Sequence, residues 1–108
     1  MKRGEIWTVA AKGGYASKPR PAVIVQSDLY DATASVTICI FTTDETDDEI
    51  LRPLVEPSAR NGLQKPSRLM VDKMTTVPRE RLGRRIGELS ARDMKRLERG
   101  LLVFLGIV

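Results

Sequence analysis

Prolines flank Arg20 on both sides in the run Lys18-Pro19-Arg20-Pro21-Ala22-Val23-Ile24-Val25, and this restriction organises the reading of the whole chain. Pro19 and Pro21 fix φ and remove two backbone donors, so the chain around Arg20 is extended and not helical. The apolar residues Ala22 to Val25 that follow suit a short strand covered on both faces. Arg20 therefore stands at a rigid strand entrance. A guanidinium held there is oriented for a bidentate grip on phosphate and stays charged at any working pH. Pairing with a neighbouring carboxylate is its other ordinary use.

The remaining pattern alternates short strands with turns. Residues 5–10 have the β-branched and aromatic content of a first strand, in which Trp7 packs in a core or interface. A glycine-rich loop over 11–18 follows, with Lys12, Tyr15 and Lys18 as candidate nucleic-acid contacts. Its spacing is not that of a P-loop, and an ordinary hairpin loop is the plainer reading. Residues 21–26 form the second strand and 27–31 a turn. The strongest strand signal is 36–42, with Val36, Ile38 and Ile40 on one face and Thr37, Cys39 and Phe41 on the other. Thr42 and Thr43 end it.

Further strands are expected over 50–55, where Pro53 places the segment at an edge or bulge, and over 66–74, extended weakly to 77 before Pro78. Between them lies a loop with an Asn61-Gly62 turn signal. Residues 79–82 suit one helical turn and 84–89 a last short strand. Ser90 to Asp93 resembles a capping box that opens a helix, and Gly106 is its expected stop. Met94, Leu97, Leu101, Phe104 and Leu105 make the apolar stripe, packed on the sheet or on a second copy of the helix. Arg92, Lys95, Arg96 and Arg99 make a solvated face. The result is one domain over residues 1–108, mainly β, with a small curled barrel-like sheet closed by a C-terminal helix. Such a barrel has no interior room for a cofactor, so its site lies on the surface or at a subunit junction.

The chemistry is limited by what is missing. The chain has no histidine and one cysteine, Cys39, which excludes a histidine acid or base, a Ser-His-Asp triad and the usual zinc sites. A reducing cytoplasm fits a lone cysteine, and no apolar segment approaches the length of a membrane span. The acidic run 44–49 is expected to stay solvated and to hold no metal. With that run set apart, the net charge of +4 understates the basic surfaces built from 12–20 and 79–99. A nucleic acid is the favoured ligand, although an acidic protein segment answers to the same field. RNA fits the remaining kit of arginine, hydroxyl and backbone donors, because its own 2′-hydroxyl supplies the nucleophile.

The opening Lys2-Arg3-Gly4-Glu5-Ile6-Trp7, the strand Arg20-Pro21-Ala22-Val23-Ile24-Val25, the strand end Phe41-Thr42-Thr43, Gly62-Leu63 with Pro66-Ser67-Arg68, and Arg81-Leu82 with Ile86-Gly87-Glu88-Leu89-Ser90 resemble, in this order, the MazF/PemK toxins of bacterial toxin-antitoxin systems. The resemblance implies an SH3-like barrel of the MazF/CcdB type with a C-terminal helix, acting as a homodimer. It further implies metal-independent, sequence-specific cleavage of single-stranded RNA that leaves a 2′,3′-cyclic phosphate and a 5′-hydroxyl, without a cofactor, and neutralisation by a cognate antitoxin. By position, the family's essential arginine falls on Arg20 and its essential threonine on Thr42, with Thr43 the alternative if the alignment slips by one, and Thr43 and Ser67 are supporting RNA contacts. Many members carry an acidic residue in the loop before the arginine, and 13–18 has none. The competing expectation is a gyrase-binding toxin of the same fold, which relies on a tryptophan near the C-terminus, whereas this chain ends Phe104-Leu105-Gly106-Ile107-Val108.

Overall fold

A computed structural model of the chain describes residues 1–10 and 18–108. Within them lie β1 (Glu5–Val9), β2 (Arg20–Ile24), β3 (Ser35–Thr42), β4 (Leu54–Val55), β5 (Ser67–Leu69), β6 (Thr75–Pro78), β7 (Leu82–Glu88) and α1 (Ala91–Phe104). The strands make one antiparallel sheet in the order β4-β5-β3-β2-β1-β7, and β6 also pairs with β3. Lys12 and Tyr15 lie outside the described residues. Among the described residues no helix is long and apolar enough to cross a membrane.

The alternation read from β2 and β3 sorts into two apolar layers, one on each face of the sheet. Val23, Val25, Cys39 and Phe41 belong to the layer that also holds Ile6, Leu69, Val71 and Leu97. Ala22, Ile24, Val36 and Ile38 belong to the other, with Val9 and Val77, and Trp7 and Leu82 lean against it. Cys39 is fully buried, and that burial pushes its thiol up from an ordinary 9.0 to about 12.

Two expected strands are shorter than their sequences promise. Only Leu54 and Val55 of 50–55 pair as a strand, against β5 at the sheet edge. Upstream, the Asp48 carboxylate accepts from the Ile50 and Leu51 amides at 3.0 Å, and Arg52 N donates to the Asp48 carbonyl at 2.6 Å. That local capping makes a turn where β-propensity alone favours extension. The run 66–74 is broken because Val71–Lys73 forms a 3₁₀ turn. Phe41 faces Leu69 and Ile38 faces Thr75, so the extra residues leave the ladder as a bulge. The bulge drops Val71 into the core, where it is fully buried under α1.

The helix starts as expected, with Ser90 Oγ accepting from Asp93 N at 3.1 Å. The reciprocal half of the box is absent among the described residues, since the Asp93 carboxylate accepts instead from Arg96 at 2.8 Å. At the other end Gly106 adopts φ +74, and Ile107 N reaches back to the Leu102 carbonyl at 2.9 Å, a Schellman closure. Met94, Leu97 and Leu101 pack on the sheet. Phe104 and Leu105, expected in the same stripe, are about half exposed, because the core layer under the helix reaches only as far as Leu101. Arg96 also departs from the expected solvated face, since it donates to the Leu54 carbonyl at 2.7 Å and pairs with Glu49 at 3.2 Å.

Candidate nucleic-acid site

The site follows from strand register. Ala22 faces Ile40 across β2 and β3, and the same antiparallel ladder continued two residues sets Arg20 beside Thr42 on one face. That is the face of the Ala22, Ile24 and Ile38 layer, so the apolar stack ends in an arginine and a threonine at the rim of the sheet. Arg20, Pro21, Phe41, Thr42, Thr43 and Ser67 line a cleft of about 160 Å³ at that rim. Four candidates scattered through the sequence thus meet in one place.

Each side chain there has a defined state. Arg20 is exposed and, among the described residues, has no ion pair, which removes the carboxylate-partner reading for them. Thr42 Oγ1 accepts from the Asp44 amide at 3.1 Å, so the hydroxyl is held by its lone pair and its proton is free to donate. Ser67 is buried and donates to the Lys65 carbonyl at 2.9 Å, which leaves its oxygen only as an acceptor toward the cleft. Thr43 is exposed at the junction with two further clefts.

Those neighbours differ in character. One, of about 360 Å³, shares Pro21, Thr43 and Ser67 with the Arg20 cleft and adds Lys18, Gln64, Lys65 and Arg84 over walls of Pro19, Leu63 and Ile86. The other, of about 570 Å³, has Asp44, Glu45 and Asp47 facing Lys65 and Arg68. Hydrogen bonds from the Thr46 hydroxyl and amide hold the Asp44 carboxyl below its usual range, so this side stays anionic. A polyanion leaving the Arg20 cleft is drawn to the cationic side and repelled from the acidic one.

Most other arginines of the sheet are tied to the fold. Arg52 pairs with Asp72, Arg79 donates to the Thr33 and Asp31 carbonyls, Arg81 to the Ala10 carbonyl, and Arg85 to Glu5. Arg20 and Arg84 have no such side-chain partner among the described residues, and both open onto the connected clefts. The connected clefts bring together Arg20, Lys18, Thr42, Thr43 and Ser67, all candidates from the sequence, and add Gln64, Lys65 and Arg84, which the sequence reading did not single out. Lys65 stands two residues from Ser67, which was a usable signal. Arg84 had none, because its place depends on how β7 pairs with β1.

The sheet, in this strand order and with one C-terminal helix, carries at its rim an oriented threonine beside an arginine that has no ion pair among the described residues. The sequence profile of the PemK-like, MazF-like toxins of type II toxin-antitoxin systems matches residues 2–105, and the chain belongs to that family. A probable endoribonuclease MazF of Mycolicibacterium smegmatis is 55% identical over 107 residues, covering 99% of this chain and 98% of the relative. Among solved structures, a mycobacterial endoribonuclease in complex with its cognate antitoxin superposes with a TM-score of 0.80 at 22% identity, covering 100% of this chain and 97% of the other. The Mycobacterium tuberculosis toxin MazF-mt6 gives 0.77 at 26% identity, with 94% and 96% covered.

Proposed function

We propose that this chain is the toxin of a type II toxin-antitoxin pair and a metal-independent, sequence-specific endoribonuclease acting on single-stranded RNA. The observation that supports it best is the convergence of Arg20, Thr42, Thr43 and Ser67 on one small cleft, with Arg20 free of carboxylates among the described residues. Arg20 grips the non-bridging oxygens of the scissile phosphate, where positive charge offsets the extra negative charge of the pentacoordinate transition state. Thr42, fixed through the Asp44 amide, donates a hydrogen bond to one of those oxygens. The RNA 2′-hydroxyl, aligned with the phosphorus, attacks and forms a 2′,3′-cyclic phosphate while the 5′-oxygen departs as a hydroxyl. The proton released by the 2′-hydroxyl reaches the departing 5′-oxygen through a phosphoryl oxygen that Arg20 holds, so the guanidinium assists the transfer while keeping its own proton.

The partners follow from the same surface. A disordered antitoxin segment with acidic or apolar character covers the cationic clefts and competes with RNA. The exposed Phe104, Leu105, Ile107 and Val108 at the end of α1 support a homodimer that buries them. The place of action is the cytoplasm.

The test is incubation of purified protein with a long, weakly structured RNA in excess EDTA, with chemical analysis of the new ends. Discrete cuts bearing 5′-hydroxyl and 2′,3′-cyclic phosphate ends, absent at sites carrying a single 2′-deoxy sugar, are expected. Cleavage that stops in EDTA, or leaves 5′-phosphates, overturns the mechanism.

A further inference from the structure

We infer that the cleft adjoining the Arg20 cleft seats the base of the nucleotide next to the cut bond, and that Arg84 and Gln64 select a purine there. This rests on the endoribonuclease reading, since a base seat has meaning only beside a scissile phosphate.

Continuity is the first support. The two clefts share Pro21, Thr43 and Ser67, so a chain whose phosphate lies on Arg20 places a neighbouring nucleotide directly in the second. The volume of about 360 Å³ is of nucleotide size, and its apolar walls Pro19, Leu63 and Ile86 offer flat surfaces to a base. The acidic lining of the third cleft disfavours the opposite route.

The polar groups are the second support, because the fold holds their backbones with care. Asn61 is buried, and its side-chain oxygen accepts from the Ser58 and Leu63 amides at 3.0 and 2.9 Å. Gly62 has φ +70 and lies so close to the Ile86 carbonyl that any β-carbon would collide with it. The turn is thereby pressed onto β7, which brings Gln64 to the cleft that Arg84 also lines. Across it, Arg84 N donates to Thr8 Oγ1 at 3.0 Å, and Gly83 leaves room for that hydroxyl. Both reading side chains are exposed, and Arg84 has no side-chain partner among the described residues.

The edge chemistry then chooses the base. A guanidinium fork matches O6 and N7 of guanine, and a carboxamide matches N6 and N7 of adenine, so the pair favours purines over pyrimidines. An arginine acting only through charge serves equally well as lysine, whereas a fork does not.

The test is cleavage of a randomised single-stranded RNA pool by wild type, Arg84→Ala, Arg84→Lys and Gln64→Ala, with all new 5′ ends sequenced and each variant checked for a native circular dichroism spectrum. The expected result is a purine preference at one position adjoining the cut in wild type. It weakens roughly tenfold or more in Arg84→Ala and Gln64→Ala, and Arg84→Lys does not restore it. Wild-type cuts with no purine preference beside them, a preference that survives both alanine substitutions, or full restoration by lysine overturns the base seat and leaves the nuclease reading intact. Absence of cuts by wild type overturns both.

Discussion

In the proposed mechanism Arg20 and Thr42 stabilise charge that appears only in the transition state, so removing either is expected to lower turnover more than binding. Thr42→Val keeps the shape and deletes the donor, and its expected cost is roughly 10²–10³ in kcat, measured under single turnover on a defined oligonucleotide. Thr42→Ser, which keeps the hydroxyl that accepts from Asp44 N, retains most of the rate. At Cys39 the raised thiol pKa gives a linked prediction. Between the ordinary 9.0 and about 12 the unfolded chain has released the proton that the folded chain keeps, so stability falls as pH rises through that window. The fall is about 1.4 kcal/mol per pH unit, and denaturant melts of wild type against Cys39→Ala isolate it, because the variant lacks that component. Residues whose placement is set by their own backbone were legible in the sequence. Prolines on either side of Arg20 announce a presented guanidinium, and Thr42 ends the clearest strand. Arg84 was not legible, since its place at the cleft is set by its backbone bond to Thr8 across a strand pairing that no local pattern encodes.

At the scale of elements, α1 is held to the sheet by close approach as much as by apolar area. A β-carbon at Gly100 would stand 2.5 Å from the Ile50 carbonyl and 3.2 Å from the Val71 methyls. Gly100→Ala therefore destabilises the fold by about 1–3 kcal/mol despite the better helix propensity of alanine, read as a lowered thermal midpoint. Ser90→Ala, which removes the oxygen that accepts from Asp93 N, costs about 1 kcal/mol. The helix was readable because its cap, apolar spacing and terminal glycine all agree. The 71–73 turn was not, since Val71 and Met74 continue the composition of a strand, and only the registers of Leu69 and Thr75 on β3 show the bulge. The same holds for 50–52, where Asp48 diverts an apolar segment into a turn.

For the whole molecule, curling one sheet brings two strand rims and the 62–65 turn together, so the clefts exist only in the folded chain. The apolar segment from Phe104 to Val108, with Val108 84% exposed, is the part of the surface that a second copy covers in the proposed homodimer. Phe104→Glu is expected to shift the protein toward monomer in analytical ultracentrifugation while leaving the core layer around Leu97 in place. Barrel class, terminal helix and RNA as substrate were all reachable from composition and ordered motifs, because a chain without histidine and with a basic surface has few other chemistries open to it. The paths between the clefts were not, because they depend on tertiary contacts such as Gly62 against Ile86. The most direct measurement is a side-by-side cleavage time course of wild type and Arg20→Ala on one RNA in EDTA, with both proteins shown to share the same melting behaviour. Loss of every wild-type cut in a folded Arg20→Ala protein is the predicted result, and cuts at the same positions and rate in both would contradict the assignment of Arg20 to the reacting phosphate.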